Sequence, residues 1–579
     1  MKVSDVLVHR RAVLRQLWQK LLVLAMLGGV TVVLLGTEWQ AVWKTLACLL
    51  WCIVCVLLLV RSEFKAMWSF HLQLLPPGGG TLRPGTHATG RFISFSELSS
   101  RFRWQEGGIR VGRPLPEHRL FGVGRDLIVG PKDDRHMLTI AGGRSGKGTA
   151  AVIPNLLTYP GSVLVIDPKG ELAQITSARR GTGSARVVKS LGQDVHVFDP
   201  EGITAGLPVS CWNPLAELDL NHPALWTHVS RLAGYLIPPQ PTKQADEFFL
   251  NHARDLLTAL ILHVLTTEEP PLHTLPYVRK LILQGDRELF QYLQDECSLA
   301  GTPLPVPDAF GAVLLYMADS TLFGGKLSGI AQGILSMADV TQSGVLGTLR
   351  EQTSFLDDPG IEQALSRSDF LLSDLKTKPT SIYLCMKGTS FATNLVRVLY
   401  VFLELAIFKI EAIPGRPPHN VLFIMDEFYT MGRSEAIDRA IGLIAGYGLT
   451  LWPILQHIGQ LKTHYPQTWD NFIRNCRAVQ YFGDQEPESL QELEKRIGYL
   501  PKGWRSSQPR PLLSYYDLSS SYFSRDCNRQ IVLFQQQPAA ALELTHYYNS
   551  FPNSMYEEDP RSAQRSTYAG WYTDGTSAP

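Results

Sequence analysis

A chain of 579 residues is too long for one ordinary domain and long enough to bury a sizeable core, so two or three compact units with appendages are expected. Its 54 Lys and Arg against 53 Asp and Glu give a formal charge of +1, which excludes a surface coated uniformly in basic side chains; any grip on nucleic acid must be local. The 8 cysteines show no regular framework, and Cys48, Cys52 and Cys55 fall inside an apolar run, which excludes a disulfide scaffold and suits a reducing cytoplasm.

Two charge-free apolar runs come first, LLVLAMLGGVTVVLLGT over residues 21–37 and TLACLLWCIVCVLLLV over 45–60. Each is slightly shorter than the roughly 20 residues that span a bilayer, and Trp18, Trp39 and Trp43 at the flanks can complete the span within the interface. The pair reads as a transmembrane hairpin. Arg10, Arg11, Arg15 and Lys20 precede it and Arg61 and Lys65 follow it, which puts both ends in the cytoplasm by the positive-inside bias. Cys52 and Cys55 have neither a second pair nor a nearby histidine and read as lipid-facing or packed thiols.

Met137 to Ile140 is a short apolar run meeting glycines, as a buried parallel strand does before a tight turn. AGGRSGKGT follows, a phosphate-loop pattern with Ala141 in place of the first glycine. Gly142, Gly143, Gly146 and Gly148, with Arg144 and Ser145 among them, let backbone N–H groups converge on phosphate oxygens. Lys147 supplies a point charge to the β and γ phosphates, and the next helix aims its positive end at the same anion. The expected anion is a nucleoside triphosphate. The hydroxyl that usually follows the lysine is replaced by Gly148; Thr149, one position later, is expected to reach the α phosphate, with water filling the missing metal position. Val163 to Ile166 is another buried strand, turning at Asp167 and Pro168. Asp167, Lys169 and Glu171 either shape the site from this strand end or are turn chemistry.

Helical spacing dominates from about 218 to 345. ADEFFLNHARDLLTALILHVL puts Phe249, Ala253, Leu256, Leu260 and Val264 on one stripe, with Asp246 as its cap and His252 and His263 as packing or surface histidines. The stretch reads as an all-α domain inserted into a nucleotide-binding sheet. NVLFIMDEF, from Asn420, is an apolar strand ending in two acids. Ligands of an open parallel sheet sit beyond the carboxyl ends of its strands, so Asp426 is the expected partner of Mg²⁺ and Glu427 the group that polarises an attacking water. LTLWPIL ends at Gln456, which can hydrogen-bond a γ phosphate and report its loss. Residues 494–510 are locally basic and carry Tyr499 and Trp504, a composition suited to single-stranded nucleic acid or to a solvated connection. Beyond about 553 periodicity is lost and a flexible tail is expected.

Taken in order, TIAGGRSGKGT, VIPNLLTYPGSVLVIDPKGEL, CWNPL, NLVRVLYVFLELAIF, LFIMDEFYTMG and LQHIGQLKTHYP resemble the coupling proteins of type IV secretion systems, the TraG family, over residues 88–550. Alanine at the first glycine and glycine after the lysine belong to that resemblance. It implies an α/β fold: a RecA-like P-loop nucleotide-binding domain (67–217 and 346–552) with an inserted all-α domain (218–345), an N-terminal transmembrane helical hairpin (1–66) and a flexible tail (553–579). It implies an ATPase of the bacterial inner membrane, mostly cytoplasmic and assembling as a ring of six. Such a ring recruits relaxase–DNA complexes or effector proteins and feeds them to the secretion channel. Carried over by residue, the loop from Gly142 to Thr149 binds ATP through Lys147, Asp426 holds Mg²⁺, Glu427 activates water and Gln456 senses the phosphate. Arg350 and Arg474 are candidates for an arginine offered to the next subunit's site, and by the same analogy the helical insertion contacts cargo. Two alternatives stay open. The cargo is either DNA or protein, and the chain could be a membrane-bound receptor whose nucleotide site is structural and does not hydrolyse, although the presence of both Asp426 and Glu427 argues against that.

Overall fold

The apolar runs with no polar alternation form strands buried on both faces, as parallel sheets require. Of the strands in the computed structural model, β1 (Arg113–Pro114), β2 (His136–Ala141), β3 (Val163–Ile166), β4 (Asp194–Phe198), β5 (Thr380–Leu384), β6 (Val421–Met425), β7 (Leu449–Leu455), β8 (Cys476–Phe482), β9 (Tyr499–Leu500), β10 (Arg510–Pro511), β11 (Arg529–Phe534) and β12 (Ala539–Glu543), this holds for β3, β6 and β7, buried at every residue. The structure describes residues 90–560 apart from 117–126, 132–134, 205, 239–243, 390–394, 501–509 and 524–526. The expected membrane hairpin, its tryptophans and cysteines, Trp504 and the chain beyond 560 lie outside the described residues.

The main sheet runs β1-β12-β11-β8-β2-β7-β6-β3-β5-β4, with β9 and β10 paired separately. From β8 to β4 every pairing is parallel, whereas β11 joins β8, β12 joins β11 and β1 joins β12 in antiparallel register. The chain passes from β2 to β3 across two positions, which β7 and β6 later fill. That order places the ends of β2, β7 and β6 side by side.

Successive strand residues serve opposite cores. Leu164, Ile166, Phe423 and Met425 join one cluster, while Val163, Val165, Leu422 and Ile424 join the other. The second cluster takes in α1 (Ile153–Thr158) and α2 (Glu171–Arg180). Between β4 and β5 the described residues form helices and turns: α3 (Leu225–Leu236), α4 (Gln244–Thr267), α5 (Leu275–Gln284), α6 (Arg287–Ala300), α7 (Ala309–Ala318), α8 (Leu322–Leu335) and α9 (Asp339–Gln352). Except for α6, which buries no residue, their apolar faces and α10 (Val396–Ala412) continue the first cluster.

On α4 the expected stripe is buried, with Ala253, Leu256, Leu260 and Val264 fully enclosed and Phe249 packed against the core, but so are Leu257, Ala259, Ile261 and Leu262, so the helix is covered on more than the one face. Among the described residues the segment Glu247–Thr267 of this helix is long and apolar enough to cross a membrane, yet most of it is covered by its neighbours. The helix is described from Gln244, so Asp246 lies inside it and is not its cap. His263 is buried edge-on to Tyr316, and its pKa falls to about 4 through burial. His252 bonds through Nδ1 to the Phe248 carbonyl, 2.9 Å away. Both are packing residues.

The segment expected to be a flexible tail begins as packed chain. Tyr556 is buried edge-on to Tyr547, and the Glu557 amide donates to the Ile175 carbonyl at 3.0 Å. A polar composition concealed that one aromatic anchor.

Candidate nucleotide site

The turn after β2 is shaped by close backbone approach. A Cβ at Gly142 would stand 1.8 Å from the Asp484 carbonyl oxygen, so only glycine fits there. Gly146 adopts the left-handed conformation at φ 87°, and Arg144 also has positive φ, at 55°. Ser145 Oγ ties the turn by donating to the Gly142 carbonyl at 2.7 Å. A Cβ at Gly143 or Gly148 would meet nothing, which leaves their backbone open to the cleft. The turn enters a π-helical segment, Lys147–Val152, that continues into α1, so unpaired N–H groups and the positive end of a helix converge on one point.

The acids arrive from β6. The Asp426 amide donates to the Ile166 carbonyl of β3 at 3.3 Å, which carries the sheet register to its last residue. Glu427 then turns out of the sheet in the left-handed region, φ 50°, a costly conformation for a side chain with a Cβ and one that recurs at functional sites. Its carboxylate is the hub of the site. Lys147 Nζ lies 3.9 Å and Lys169 Nζ 3.5 Å from Oε1, and Gln456 Nε2 donates to Oε2 at 3.1 Å. Burial alone would raise the Glu427 pKa; Lys147, the Gln456 hydrogen bond and Lys169 outweigh it and hold the carboxyl below its ordinary range. Gln456 is placed by its own amide, which donates to Gln460 Oε1 at 2.8 Å.

Asp426 has the opposite character. Its Oδ1 is buried without a hydrogen-bond partner, and its pKa is raised by burial and by Glu427, against a smaller opposing pull from Lys147 and Lys169. Asp167, at the end of β3, is also buried, and burial lifts its pKa to about 7. The Ala173 amide on α2 donates to Asp167 Oδ2 at 2.9 Å and opposes that rise, while Asp426 and Glu171 add to it. Asp167 is therefore turn chemistry that also faces the site, and Lys169 belongs to the site through Glu427. An orphaned carboxylate oxygen beside a second acid suits a hard cation. Among the described residues no three acid, histidine or cysteine side chains form a metal cluster.

The cleft around the loop measures about 1100 Å³ and is lined by Gly143 to Thr149, Asp167, Lys169 and Asp426. Its lining also takes in residues that no sequence pattern marks: Asp484, Asn528, Arg529, His546 and Tyr548 among others. No local pattern in THYY of residues 545–548 marks it as a site. Thr149, expected at the α phosphate, has its Oγ1 2.9 Å from His546 Nδ1 and 3.2 Å from the Gly146 carbonyl. Arg350 and Arg474 do not line the cleft. Arg474 pairs with Asp470, and Arg350 Nε donates to the Ile282 carbonyl at 3.5 Å.

Over residues 92–508 the chain matches the family described as Type IV secretory system Conjugative DNA transfer. The chain belongs to that family. This family member is 29% identical over 431 residues to Protein VirD4 of Agrobacterium fabrum (strain C58), covering 72% of this chain and 59% of that relative. It is 27% identical over 377 residues to the conjugal transfer protein TraG of Escherichia coli, covering 63% and 55%. The chain thus spans little more than half the length of these relatives. Among solved structures it is similar to the bacterial conjugative coupling protein TrwBdeltaN70, with TM-score 0.53 and 15% identity over 83% of this chain and 99% of that one. It is similar also to the plasmid coupling protein TrwB in complex with ADP and Mg²⁺, with TM-score 0.52, 15% identity and the same coverage. At that identity the likeness shows the fold, a mixed α/β core.

Proposed function

We propose that this protein is a membrane-anchored ATPase that couples a substrate, a relaxase–DNA complex or an effector protein, to a type IV secretion channel of the bacterial inner membrane. One observation carries the ATPase reading: Lys147, Glu427 and Gln456, from three segments distant in sequence, meet at the carboxyl edge of one parallel sheet. The conjugal transfer relatives support the coupling role, and the TrwB complex with ADP and Mg²⁺ supports the choice of nucleotide and metal.

In this reading the loop from Gly142 to Thr149 receives the phosphates and Lys147 exchanges its contact with Glu427 for the β and γ oxygens. Glu427, kept ionised by its two lysines and Gln456, orients the attacking water and accepts its proton. Gln456, bonded to Glu427, registers departure of the γ phosphate. Asp426 would hold Mg²⁺, which offsets charge developing on the phosphate oxygens. Six copies in a ring would supply an arginine to each neighbouring site, and the all-α insertion read over residues 218–345 would meet cargo.

The test is ATP turnover by the full chain in detergent, wild type against Lys147→Ala and Glu427→Gln. Both substitutions should lower turnover by about 10²-fold or more, with Glu427→Gln retaining nucleotide binding. Equal rates in all three would sink the motor reading and favour a receptor with a structural nucleotide site.

A further inference from the structure

His546 follows β12, at the antiparallel end of the sheet, and reaches back over the phosphate loop. Its ring packs on Gly146, where an added Cβ would stand 2.9 Å from Cε1, and it stacks on Tyr548 with centroids 5.3 Å apart. The hydrogen bonds around it settle which atom donates. Asn528 Nδ2 donates to the Leu544 carbonyl at 3.1 Å, so Asn528 Oδ1 is the atom facing His546 Nε2, 3.0 Å away. An amide oxygen only accepts, so Nε2 carries the ring proton. Burial lowers the pKa of this histidine and favours the neutral ring, whose Nδ1 is then an acceptor. Thr149 Oγ1, 2.9 Å from Nδ1, must donate its single proton there; its alternative acceptor, the Gly146 carbonyl, is farther at 3.2 Å.

A phosphate oxygen is an acceptor as well. It can bond to the Thr149 hydroxyl only by taking the proton that His546 holds. We propose that His546 is a positioning residue of the nucleotide site: it competes with the α phosphate for the Thr149 hydroxyl proton, so that nucleotide occupancy is passed to the C-terminal hairpin. The proposal rests on the nucleotide-binding reading above. The mechanical route is continuous, because β2 pairs with β8, β8 with β11 and β11 with β12, and His546 closes the circuit back to the loop that follows β2. When the bond to Thr149 is surrendered, the Asn528–His546 contact loses its second anchor and the chain around residues 544–549 is loosened.

The test uses the full chain in detergent and a fluorescent, non-hydrolysable ATP analogue. His546→Phe keeps the ring on Gly146 and Tyr548 but removes both the acceptor facing Thr149 and the donor to Asn528; Thr149→Val removes the proton at nearly constant volume. His546→Phe should bind the analogue about five-fold more tightly than wild type, the loss of one competing hydrogen bond. Thr149→Val should bind more weakly, and the double variant should match Thr149→Val. Amide exchange across residues 544–549 should speed up on adding the analogue to wild type and stay unchanged in Thr149→Val, a readout that simple packing would not give. Unchanged or weaker binding by His546→Phe, or the same effect of that substitution with and without the Thr149 hydroxyl, overturns the proposal. A folded wild type that fails to bind the analogue at all overturns the nucleotide reading beneath it, so the two failures are told apart.

Discussion

Arg180 is a fully buried cation whose environment makes a quantitative claim. It sits at the end of α2, and burial pulls its pKa down to about 10, so it remains charged at neutral pH. Its guanidinium makes five hydrogen bonds: Nε to Ser381 Oγ at 2.6 Å, Nη1 to the carbonyls of Leu156 and Tyr159 at 2.8 and 3.0 Å, Nη2 to the Gly161 carbonyl at 2.7 Å and to Gln193 Oε1 at 2.8 Å. The Leu156 and Tyr159 carbonyls belong to the last turn of α1 and its exit, where no helical partner remains. Arg180 thus caps the far end of the phosphate-loop helix. Substitution to Met keeps the length and removes every donor. At about 1 kcal/mol net per bond, a figure that already contains the cost of desolvation, five bonds come to about 5 kcal/mol. Lys, with three donors on a flexible stem, should recover roughly half of that. The assay is urea unfolding of the full chain followed by tryptophan fluorescence, comparing midpoints at constant slope. A loss below about 1 kcal/mol for Arg180→Met would refute the reasoning, since the vacated carbonyls would then have found equivalent partners.

Gly142→Ala forces a Cβ into the Asp484 carbonyl, which is backbone and cannot swing aside; nucleotide affinity should fall by more than about ten-fold in the fluorescent-analogue titration, with about 2–3 kcal/mol of destabilisation. His263, whose pKa is about 4 in the fold against an ordinary value of 6.5, takes up its proton later than the unfolded chain does as pH falls. Stability present above pH 6.5 is therefore lost between 6.5 and 4, by about 1.4 kcal/mol per unit and about 3 kcal/mol in all. His263→Gln should flatten the slope of unfolding free energy across that window by this amount. Parallel slopes for the two proteins would reject the assignment.

Much of the sheet was legible because the strands that build its centre are apolar without interruption, and only burial on both faces explains such runs. VLVI, VLFIM and LTLWPIL each became a strand with the boundaries their composition suggests. The loop was legible for a different reason: closely spaced glycines around one lysine encode a backbone path that side chains would forbid, as the 1.8 Å approach at Gly142 shows. The acid pair and Gln456 could be named because they terminate such strands. Asp246 could not be read correctly as a cap, since it lies inside the helix, where its local preference was overridden. Tyr556 could not be read as an anchor, since a single aromatic has no period.

What local pattern determined, then, was which segments become strands, where the phosphate turn lies and which polar residues stand at strand ends. The tertiary structure alone decided that β7 and β6 fill the gap between β2 and β3, which sets Gln456 against Glu427 and Glu427 near Lys147. It alone brought His546 onto Thr149 and Arg180 under the last carbonyls of α1. These contacts join segments that share no periodicity. They arise from the free energy of covering both faces of one sheet, a quantity that belongs to the whole chain and is written in no single stretch of it.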